Sequence, residues 1–394
     1  MAKQKLAIFI NTLEVAGSEK VVALLINHFY QSYDIHLVLL HKLIHYELPL
    51  NHITVKTIDG SKRWRYFKIL NLLKMPLLAI RLKKYLQQEG IGTCLCVLNR
   101  PGFIGCLLKT FNWKGKVLVS IRTHTSSQYP PHTLAGKTGH YLIKRLFNKA
   151  DLLLPNSLGI EQDLVGNHGI TRPCQVIYNP IDLAANRLDM AQPVTDVDFD
   201  RFTFIVVGRF EAVKNHALLL QAVQLLRDEH FQVLLIGYGP LEDKLQQAIE
   251  RLGLREKIIF LGYREANHVA RYLTQSNCFV MTSRSEGFPN VLLEALACGL
   301  PAISTDCNTG PREILTTQFA PATEKGAIEM GTYGLLVPVD DATALASAMR
   351  LILNDPALCS QYASKAAERA ACFDISIIMH QYADVFKKYV DGSE

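Results

Sequence analysis

The sequence predicts an α/β protein with two doubly wound parallel sheets. Short apolar runs typical of buried strands alternate with amphipathic helical segments, and this alternation favours parallel sheet. The pattern ends near residue 180 and starts again after residue 200, and 394 residues suffice for about two or three domains. We therefore expect two Rossmann-like domains, with the active site in a cleft between them, at the carboxyl ends of the strands.

The first half of the chain contains five strand-like apolar runs. They are KLAIFIN (5–11), DIHLVLLH (34–41), TCLCVLN (93–99), KVLVSIR (116–122) and ADLLLPNS (150–157). Apolar residues at helical spacing predict one helix over 19–31 and a long helical region that ends near residue 88.

The second half repeats the pattern after a polar, Asp-rich segment that contains Pro193. Its predicted strands are 201–209, 231–237, 257–262 and 277–283, and its predicted helices include 215–229 and 241–253. We expect a first domain over 1–182, a second over 183–375, and a helix over 376–394 that packs back toward the first domain.

Composition excludes several classes of protein. With 49% hydrophobic and 20% charged residues, the chain is typical of a folded globular protein. Lys74 interrupts the most apolar stretch, 72–80, which is far shorter than the roughly 18–20 residues of a membrane-spanning helix. The apolar run at 6–10 is too short for a secretory signal, and nine cysteines without C-x-x-C pairs indicate reduced thiols. We expect a cytoplasmic protein.

The segment VVGRFEAVKN (206–215) has the residue types that bind a diphosphate. Gly208 and Arg209 follow a predicted strand, and Lys214 is placed at the start of the next helix. Glycine lets backbone amides approach a phosphate, while arginine and lysine supply positive charge. The alternative is a solvated basic loop.

A second segment, SEGFPNVLLEALACGLP (285–301), carries two glutamates eight residues apart, Glu286 and Glu294. A loop with Gly287 and Pro289 precedes a helix predicted from Asn290 onward. Amides at a helix N-terminus attract negative charge, and a carboxylate one or two turns further along can accept hydrogen bonds from a ribose diol. The alternative is a pair of surface acids with no shared function.

In this order, each after a strand, the two segments resemble the nucleotide-sugar half of retaining GT-B glycosyltransferases, in particular glycosyltransferase family four. The resemblance covers about 200–340 and includes GYGPLEDKL (237–245), LGYRE (261–265), DCNTGPREIL (306–315) and GLLVPVDDATALASAM (334–349). It implies the GT-B fold and an enzyme that transfers a hexose or N-acetylhexosamine from a nucleotide-diphosphate sugar.

The resemblance also implies roles for individual residues. Arg209 and Lys214 would bind the donor diphosphate and stabilise the leaving group, and Glu294 would hold the ribose hydroxyls. Glu286 would face the donor sugar, and amides of Gly287, Phe288 and Asn290 would surround the sugar and the phosphate. Gly208 would also belong to the donor-binding residues.

The first half resembles the family less closely. In NTLEVAGSEKVV (11–22), only Gly17 matches a loop that usually has two glycines, because Ala16 stands at the first position. His124, in SIRTH after a predicted strand, is similar to the family histidine that reaches the donor sugar. The alternative for His124 is a structural or merely exposed histidine.

The resemblance implies transfer with retention of anomeric configuration, driven by stabilisation of the departing nucleoside diphosphate. We expect no cofactor and no required metal; the nucleotide-diphosphate sugar is a co-substrate. The D-x-D pattern in DVDFD (196–200) lies in the predicted linker, and His41 and His45 lack a third ligand nearby. After Gly237 and Gly239, a dinucleotide fingerprint would need a glycine where Glu242 stands.

Two other classes of function remain open at this stage. One is an epimerase or phosphorylase of the same fold, and the other is an inactive, membrane-bound glycan-binding subunit. The GFPN loop and the NTGPREIL run resemble users of UDP-sugars within the family, which favours a UDP-linked donor.

Charge divides the chain: residues 1–180 carry a formal +14 and residues 181–394 carry −8. The stretch 62–84 has eight Lys and Arg, no acid, and three interleaved aromatic residues. Such a segment can lie on an anionic membrane, or pack as a core helix with a solvated basic face. We expect membrane contact, a peripheral position at the inner face of the cytoplasmic membrane, a lipid-linked or lipopolysaccharide acceptor, and no nucleic-acid partner.

Overall fold

A computed structural model of the chain describes residues 3–59, 72–185, 194–317 and 323–392. The chain forms two compact units. Unit 1 comprises Met1–Asn179 together with Ser376–Glu394, and unit 2 comprises Pro180–Ile375.

Unit 1 contains a parallel sheet with the order β3-β2-β1-β4-β5-β6. Its strands are β1 (Lys5–Ile10), β2 (Asp34–Leu39), β3 (Thr54–Thr57), β4 (Thr93–Val97), β5 (Lys116–Ile121) and β6 (Leu152–Pro155). The order reverses direction between β1 and β4, which are neighbours, as in other doubly wound sheets. The strands β1, β2 and β4 read as continuous apolar runs because both faces of the sheet are covered.

The helices of unit 1 cover both faces of this sheet. They are α1 (Gly17–Phe29), α2 (Met75–Gln88), α3 (Asn99–Thr110), the short α4 (Thr125–Gln128), α5 (Leu134–Leu142), a π-helical turn (Ile143–Phe147) and α6 (Leu158–Gly166). The buried sides of α2, α3, the π-helical turn and α6 contribute to one apolar core on one face of the sheet.

Unit 2 has a second sheet with the order β12-β13-β11-β10-β7-β8-β9, parallel except for β12. Its strands are β7 (Phe202–Val207), β8 (Phe231–Ile236), β9 (Ile258–Gly262), β10 (Cys278–Met281), β11 (Ala302–Thr305), β12 (Glu329–Met330) and β13 (Leu335–Val337). Strands β7 and β10 are neighbours although their last residues, Val207 and Met281, are 74 positions apart in the chain. This adjacency positions the candidate site.

The helices of unit 2 begin with a 3₁₀ turn (Ala212–Lys214). They continue with α7 (His216–Leu225), α8 (Glu242–Arg251), α9 (Ala266–Gln275), α10 (Asn290–Ala297), α11 (Pro311–Leu315), α12 (Ala342–Asn354) and α13 (Pro356–Ala371).

The end of the chain forms α14 (Ile375–Phe386) and a π-helical turn (Lys387–Asp391), which pack within unit 1. Phe386 contacts Phe29 edge-on with 5.0 Å between ring centres. The Thr93 hydroxyl donates to the Tyr389 carbonyl at 2.7 Å. The last segment is therefore tied to α1 and to the start of β4.

Two predictions from the sequence are wrong in detail. The region predicted as helical up to residue 88 contains β3, a four-residue polar edge strand with no apolar run to reveal it. Lys214 does not start a helix; it ends the 3₁₀ turn, and Asn215, at φ 51°, separates that turn from α7.

Candidate active site

The predicted diphosphate loop and the predicted sugar loop meet at the carboxyl edge of the unit 2 sheet. Gly208 and Arg209 follow β7, and Glu286 follows β10, its neighbour. Lys214 Nζ lies 2.6 Å from Glu286 Oε1, and both side chains are mostly buried. Two predicted site residues 72 positions apart are therefore in direct contact.

Several hydrogen bonds fix the two loops against each other. The Thr282 hydroxyl donates to the Lys214 carbonyl at 2.8 Å, and the Arg284 amide donates to the Val213 carbonyl at 2.8 Å. The Ser283 hydroxyl donates to the Glu286 carboxylate, beside Lys214. The charged pair is thus held by backbone contacts as well as by its own attraction.

Arg209 occupies a more open position than Lys214. Its guanidinium forms an ion pair with Glu211 at 2.8 Å and lies 6.0 Å from the centre of the Tyr238 ring. Half of the Arg209 side chain is exposed to solvent. It is therefore accessible to a ligand that approaches this edge of the sheet.

Glycines allow close backbone packing around the first loop. A Cβ atom on Gly237 would overlap the Gly208 carbonyl oxygen, and one on Gly239 would lie 2.7 Å from the Phe210 carbonyl oxygen. At Gly208 itself a Cβ would meet only the Lys214 side chain, with the nearest atom at 3.9 Å. Gly237 and Gly239 therefore support the loop, whereas Gly208 leaves open space beside Lys214.

The second loop leads into α10. Gly287 and Phe288 are buried, and the Phe288 ring packs against Phe373 with 5.2 Å between centres. Asn290 begins α10 as predicted, and Glu294 lies one turn further along the same helix. The N-terminal amides of α10 therefore come directly after the loop, and the Glu294 carboxylate follows them one turn later.

Thr309 and Gly310, which lie between β11 and α11, support the second loop. A Cβ on Gly310, which has φ 87°, would lie 2.7 Å from Pro289 Cδ, and the Thr309 hydroxyl donates to the Glu286 carbonyl. Ser283 and Thr309 were not predicted as supporting residues. A hydroxyl side chain near a motif loop is too common in proteins to predict such a contact.

The predicted Gly17 and His124 lie in unit 1. Gly17 begins α1, and the Ala16 backbone both donates to and accepts from the Tyr46 hydroxyl, at 3.2 and 2.9 Å. Ala16 has φ −156°, an extended conformation that alanine adopts without strain. The departure from two glycines therefore imposes no backbone cost at this position.

His124 caps α4, where its Nδ1 accepts from the Ser127 amide at 3.2 Å. This leaves the proton of the neutral ring on Nε2, which lies 3.6 Å from Asp163. Burial lowers the pKa of His124, opposed by the nearby Asp163 carboxylate and assisted by His168. The ring is held in one orientation as a neutral imidazole.

Asp163 organises the loop that carries His124. Burial alone would raise its pKa, but hydrogen bonds from His168, Asn167, Ser126 and Thr125 outweigh burial and hold that pKa well below its usual range. This buried carboxylate, 39 residues after His124 on α6, was not predicted from the sequence.

The D-x-D segment and the His41/His45 pair were the two metal candidates that the sequence raised. Asp196 accepts from the Tyr272 hydroxyl at 2.8 Å and from Arg264 at 3.2 Å. In the described parts of the chain, no three His, Cys, Asp or Glu side chains cluster as metal ligands. Asp196 thus ties the segment to α9.

Comparisons with known proteins agree with the fold and the motifs. A family described as glycosyl transferases group 1 matches residues 192–369, and Glycosyltransferase Family 4 matches residues 15–185. The chain is 34% identical over 373 residues to a Campylobacter jejuni protein, N-acetylgalactosamine-N,N'-diacetylbacillosaminyl-diphospho-undecaprenol 4-alpha-N-acetylgalactosaminyltransferase. That alignment covers 94% of this chain and 96% of the relative.

Solved structures confirm the GT-B fold. Sucrose-phosphate synthase from Thermosynechococcus elongatus has a TM-score of 0.81 at 19% identity, covering 99% of this chain and all of the other. Anabaena HepE in complex with UDP has a TM-score of 0.72 at 18% identity, covering 98% of this chain and all of the other. On the strength of the full-length relative and the matched families, the chain is a glycosyltransferase that belongs to glycosyltransferase family 4.

Proposed function

We propose that this enzyme transfers a hexose or N-acetylhexosamine, with retention of configuration, from a UDP-sugar to a glycan carried on a lipid. The contact between Lys214 and Glu286 is the observation that carries the proposal. The Campylobacter jejuni relative is named for transfer to a diphospho-undecaprenol-linked sugar, and HepE was solved with UDP. The first supports a lipid-linked acceptor for this chain, and the second supports a uridine donor.

Glu286 forms an ion pair with Lys214. A bound diphosphate would compete for the same ammonium group and would release the carboxylate to accept hydrogen bonds from sugar hydroxyls. Arg209, half-exposed nearby, would supply the second positive charge. One ion pair would thus be exchanged for another when the donor binds.

Charge on the diphosphate increases as its bond to the sugar breaks. Preorganised positive groups stabilise the transition state more than the ground state, which is why they accelerate the step. In this proposal Lys214, Arg209 and the N-terminal amides of α10 do this, and Glu294 holds the ribose. His124, a neutral donor through Nε2, would contact the donor sugar, and Gly17 would let the α1 amides approach it.

Lys214→Ala tests the donor site. We expect a loss of at least about 100-fold in kcat for transfer from UDP-N-acetylgalactosamine to an undecaprenyl-diphosphate-linked glycan, with the fold retained by circular dichroism. Lys244→Ala is the matched control, since Lys244 is an exposed lysine on α8 of the same unit. Unchanged turnover of Lys214→Ala would refute the assigned role.

Two further measurements on the wild-type protein separate the alternative functions. Release of a changed sugar nucleotide from UDP-N-acetylglucosamine without acceptor would indicate an epimerase. Failure of the wild-type protein to shift its melting temperature with UDP, GDP, ADP, dTDP or their sugar conjugates would favour an inactive glycan-binding subunit.

We also propose that the stretch 62–84 contacts the anionic inner face of the cytoplasmic membrane. Residues 62–71, including Arg63, Arg65 and Lys68, lie outside the described residues. Within the described ranges, no helix has the length and apolar character that a bilayer crossing requires. The attachment that we propose is peripheral.

The described part of the stretch supports this proposal through its outer face. α2 buries Leu78 and Leu82 in the core of unit 1, whereas Leu77 and Ile80 are about half exposed, next to Arg81. A core helix with only a solvated basic face would not expose these aliphatic side chains. Leu77→Ser with Ile80→Ser should weaken sedimentation with phosphatidylglycerol vesicles, and unchanged sedimentation would favour the core-helix alternative.

A further inference from the structure

Helix α5 has two buried glycines on its inner side and two large, exposed side chains on its outer side. Leu134 is 83% exposed and Tyr141 is 61% exposed. Gly136 and Gly139 are buried, and a Cβ atom on Gly139 would overlap the Tyr129 ring. The helix packs through these glycines and through Leu142, which leaves Leu134 and Tyr141 on its outer side.

The exposed side chains form one stripe. Leu134 and Tyr141 are seven residues, about two helical turns, apart, which places them on the same face. Lys137 is exposed between them, and the Arg145 guanidinium lies 6.0 Å from the centre of the Tyr141 ring. The face combines an aliphatic group, an aromatic group with a polar tip, and two positive charges.

This stripe belongs to the same helical layer as α2. The intervening α3 packs against α2 and against the π-helical turn that continues α5. Buried residues of all three, such as Leu78, Ile104 and Ile143, belong to one core. The exposed faces of α2 and α5 are therefore on the same side of unit 1.

The surrounding sequence selects the chemistry of the partner. Residues 90–150 contain nine Lys and Arg and no Asp or Glu. Two copies of this surface would repel each other, and a nucleic acid would leave the largely exposed Leu134 uncovered. An anionic bilayer surface satisfies all three features, because leucine enters the acyl boundary, tyrosine prefers the interface and basic groups meet lipid phosphates.

We propose that α5 is a second membrane-contacting helix, which inserts Leu134 and Tyr141 at the headgroup boundary and pairs Lys137 and Arg145 with anionic lipids. The proposal rests on the proposed function only in that a lipid-linked acceptor requires the enzyme at a bilayer. With α2 it gives unit 1 two separate attachments on one side.

The test uses the full chain with vesicles of phosphatidylcholine alone or with about 30% phosphatidylglycerol. Leu134→Ser with Tyr141→Ser should reduce the partition coefficient about tenfold on both vesicle types, since apolar insertion is lost. Lys137→Gln with Arg145→Gln should reduce it only on the anionic vesicles. Leu225→Ser is the matched control, because this leucine is 54% exposed on α7 of unit 2, and its partition should not change.

Unchanged partition of the Leu134/Tyr141 variant would overturn the proposal. A wild-type dimer that this variant converts to a monomer, with vesicle binding retained, would assign the stripe to a second copy instead. Transfer to a water-soluble acceptor should be the same in variant and wild type. If the wild type transfers no sugar to any acceptor, the proposed function fails, while the vesicle comparison still decides the role of α5.

Discussion

The buried imidazole of His216 predicts how the stability of unit 2 depends on pH. His216 begins α7, is 5% exposed, and packs edge-on against Phe210 with 5.2 Å between ring centres. Among the described residues, its Nε2 has no hydrogen-bond partner. Burial, followed by the positive charge of Lys214, lowers the pKa of His216 from 6.5 to about 4. The ring is therefore neutral at pH 7, close to a lysine of the candidate site.

The sign and size of the effect follow from proton linkage. Between pH 6.5 and 4 the unfolded state binds more protons at this position than the folded state, so stability falls as the pH falls. The contribution of the neutral ring is fully present above pH 6.5. With these two pKa values, a change from pH 7.5 to 5.0 lowers the free energy of unfolding by about 2 kcal/mol.

His216→Gln should remove this part of the pH dependence, because glutamine does not titrate. Tryptophan fluorescence does not report on unit 2 directly, because the two tryptophans of the chain, at positions 64 and 113, both precede that unit. Hydrogen exchange of peptides from β7 and β8, followed against urea at both pH values, reports on unit 2 directly. His230→Gln, at an exposed histidine before β8, is the control. If His216→Gln keeps the wild-type pH slope, the buried neutral ring is not its source.

Two further substitutions test the loops. Gly237→Ala should destabilise unit 2 by about 2 kcal/mol in urea-dependent hydrogen exchange, because its Cβ overlaps the Gly208 carbonyl. Gly208→Ala should leave stability unchanged but weaken UDP affinity in calorimetry; equal stability of the two variants would contradict the packing argument. Asp163→Asn should cost unit 1 about 3 kcal/mol by Trp113 fluorescence, since it breaks a buried hydrogen-bonded network, whereas Glu161→Gln on the same helix should cost under about 0.5. Similar losses in both would mean that helix charge, not the network, sets the effect.

Sequence alone predicts the strands of this fold well where burial on both faces makes them continuously apolar, as in β1 and β8. It fails at β3, whose polar residues pair at the edge of the sheet. The motif loops could be identified from their glycines and charges. Their contact could not, because the pairing of β7 with β10 depends on the order of strands in the sheet. Strand order is a property of the whole fold.

The exposed stripe of α5 illustrates a different limit. Leu134 and Tyr141 have the composition of core residues, and helical spacing alone would place them inside. Their exposure follows from Gly136 and Gly139, which bring the helix so close to Tyr129 and Pro130 that the glycine face must be the inner one. Which face of a helix is buried depends on its neighbours. In a short helix that has a glycine face and a face with large apolar side chains, the sequence alone does not show which face is buried.

The net charge of each half of the chain determines how ionic strength should affect the binding of its proposed ligand. Residues 181–394, most of which belong to unit 2, carry −8, so in the proposed donor site a diphosphate would approach against the net charge and would depend on Arg209 and Lys214. Lys214 is mostly buried, and partly buried charges are screened little by salt. Residues 1–180 carry +14, and most of the basic side chains that the structure describes there are exposed, so attraction to an anionic bilayer would be long-ranged and would fall steeply with salt. The two proposals therefore place donor binding and membrane attachment on different charges, and raising the ionic strength should weaken vesicle binding more than donor binding.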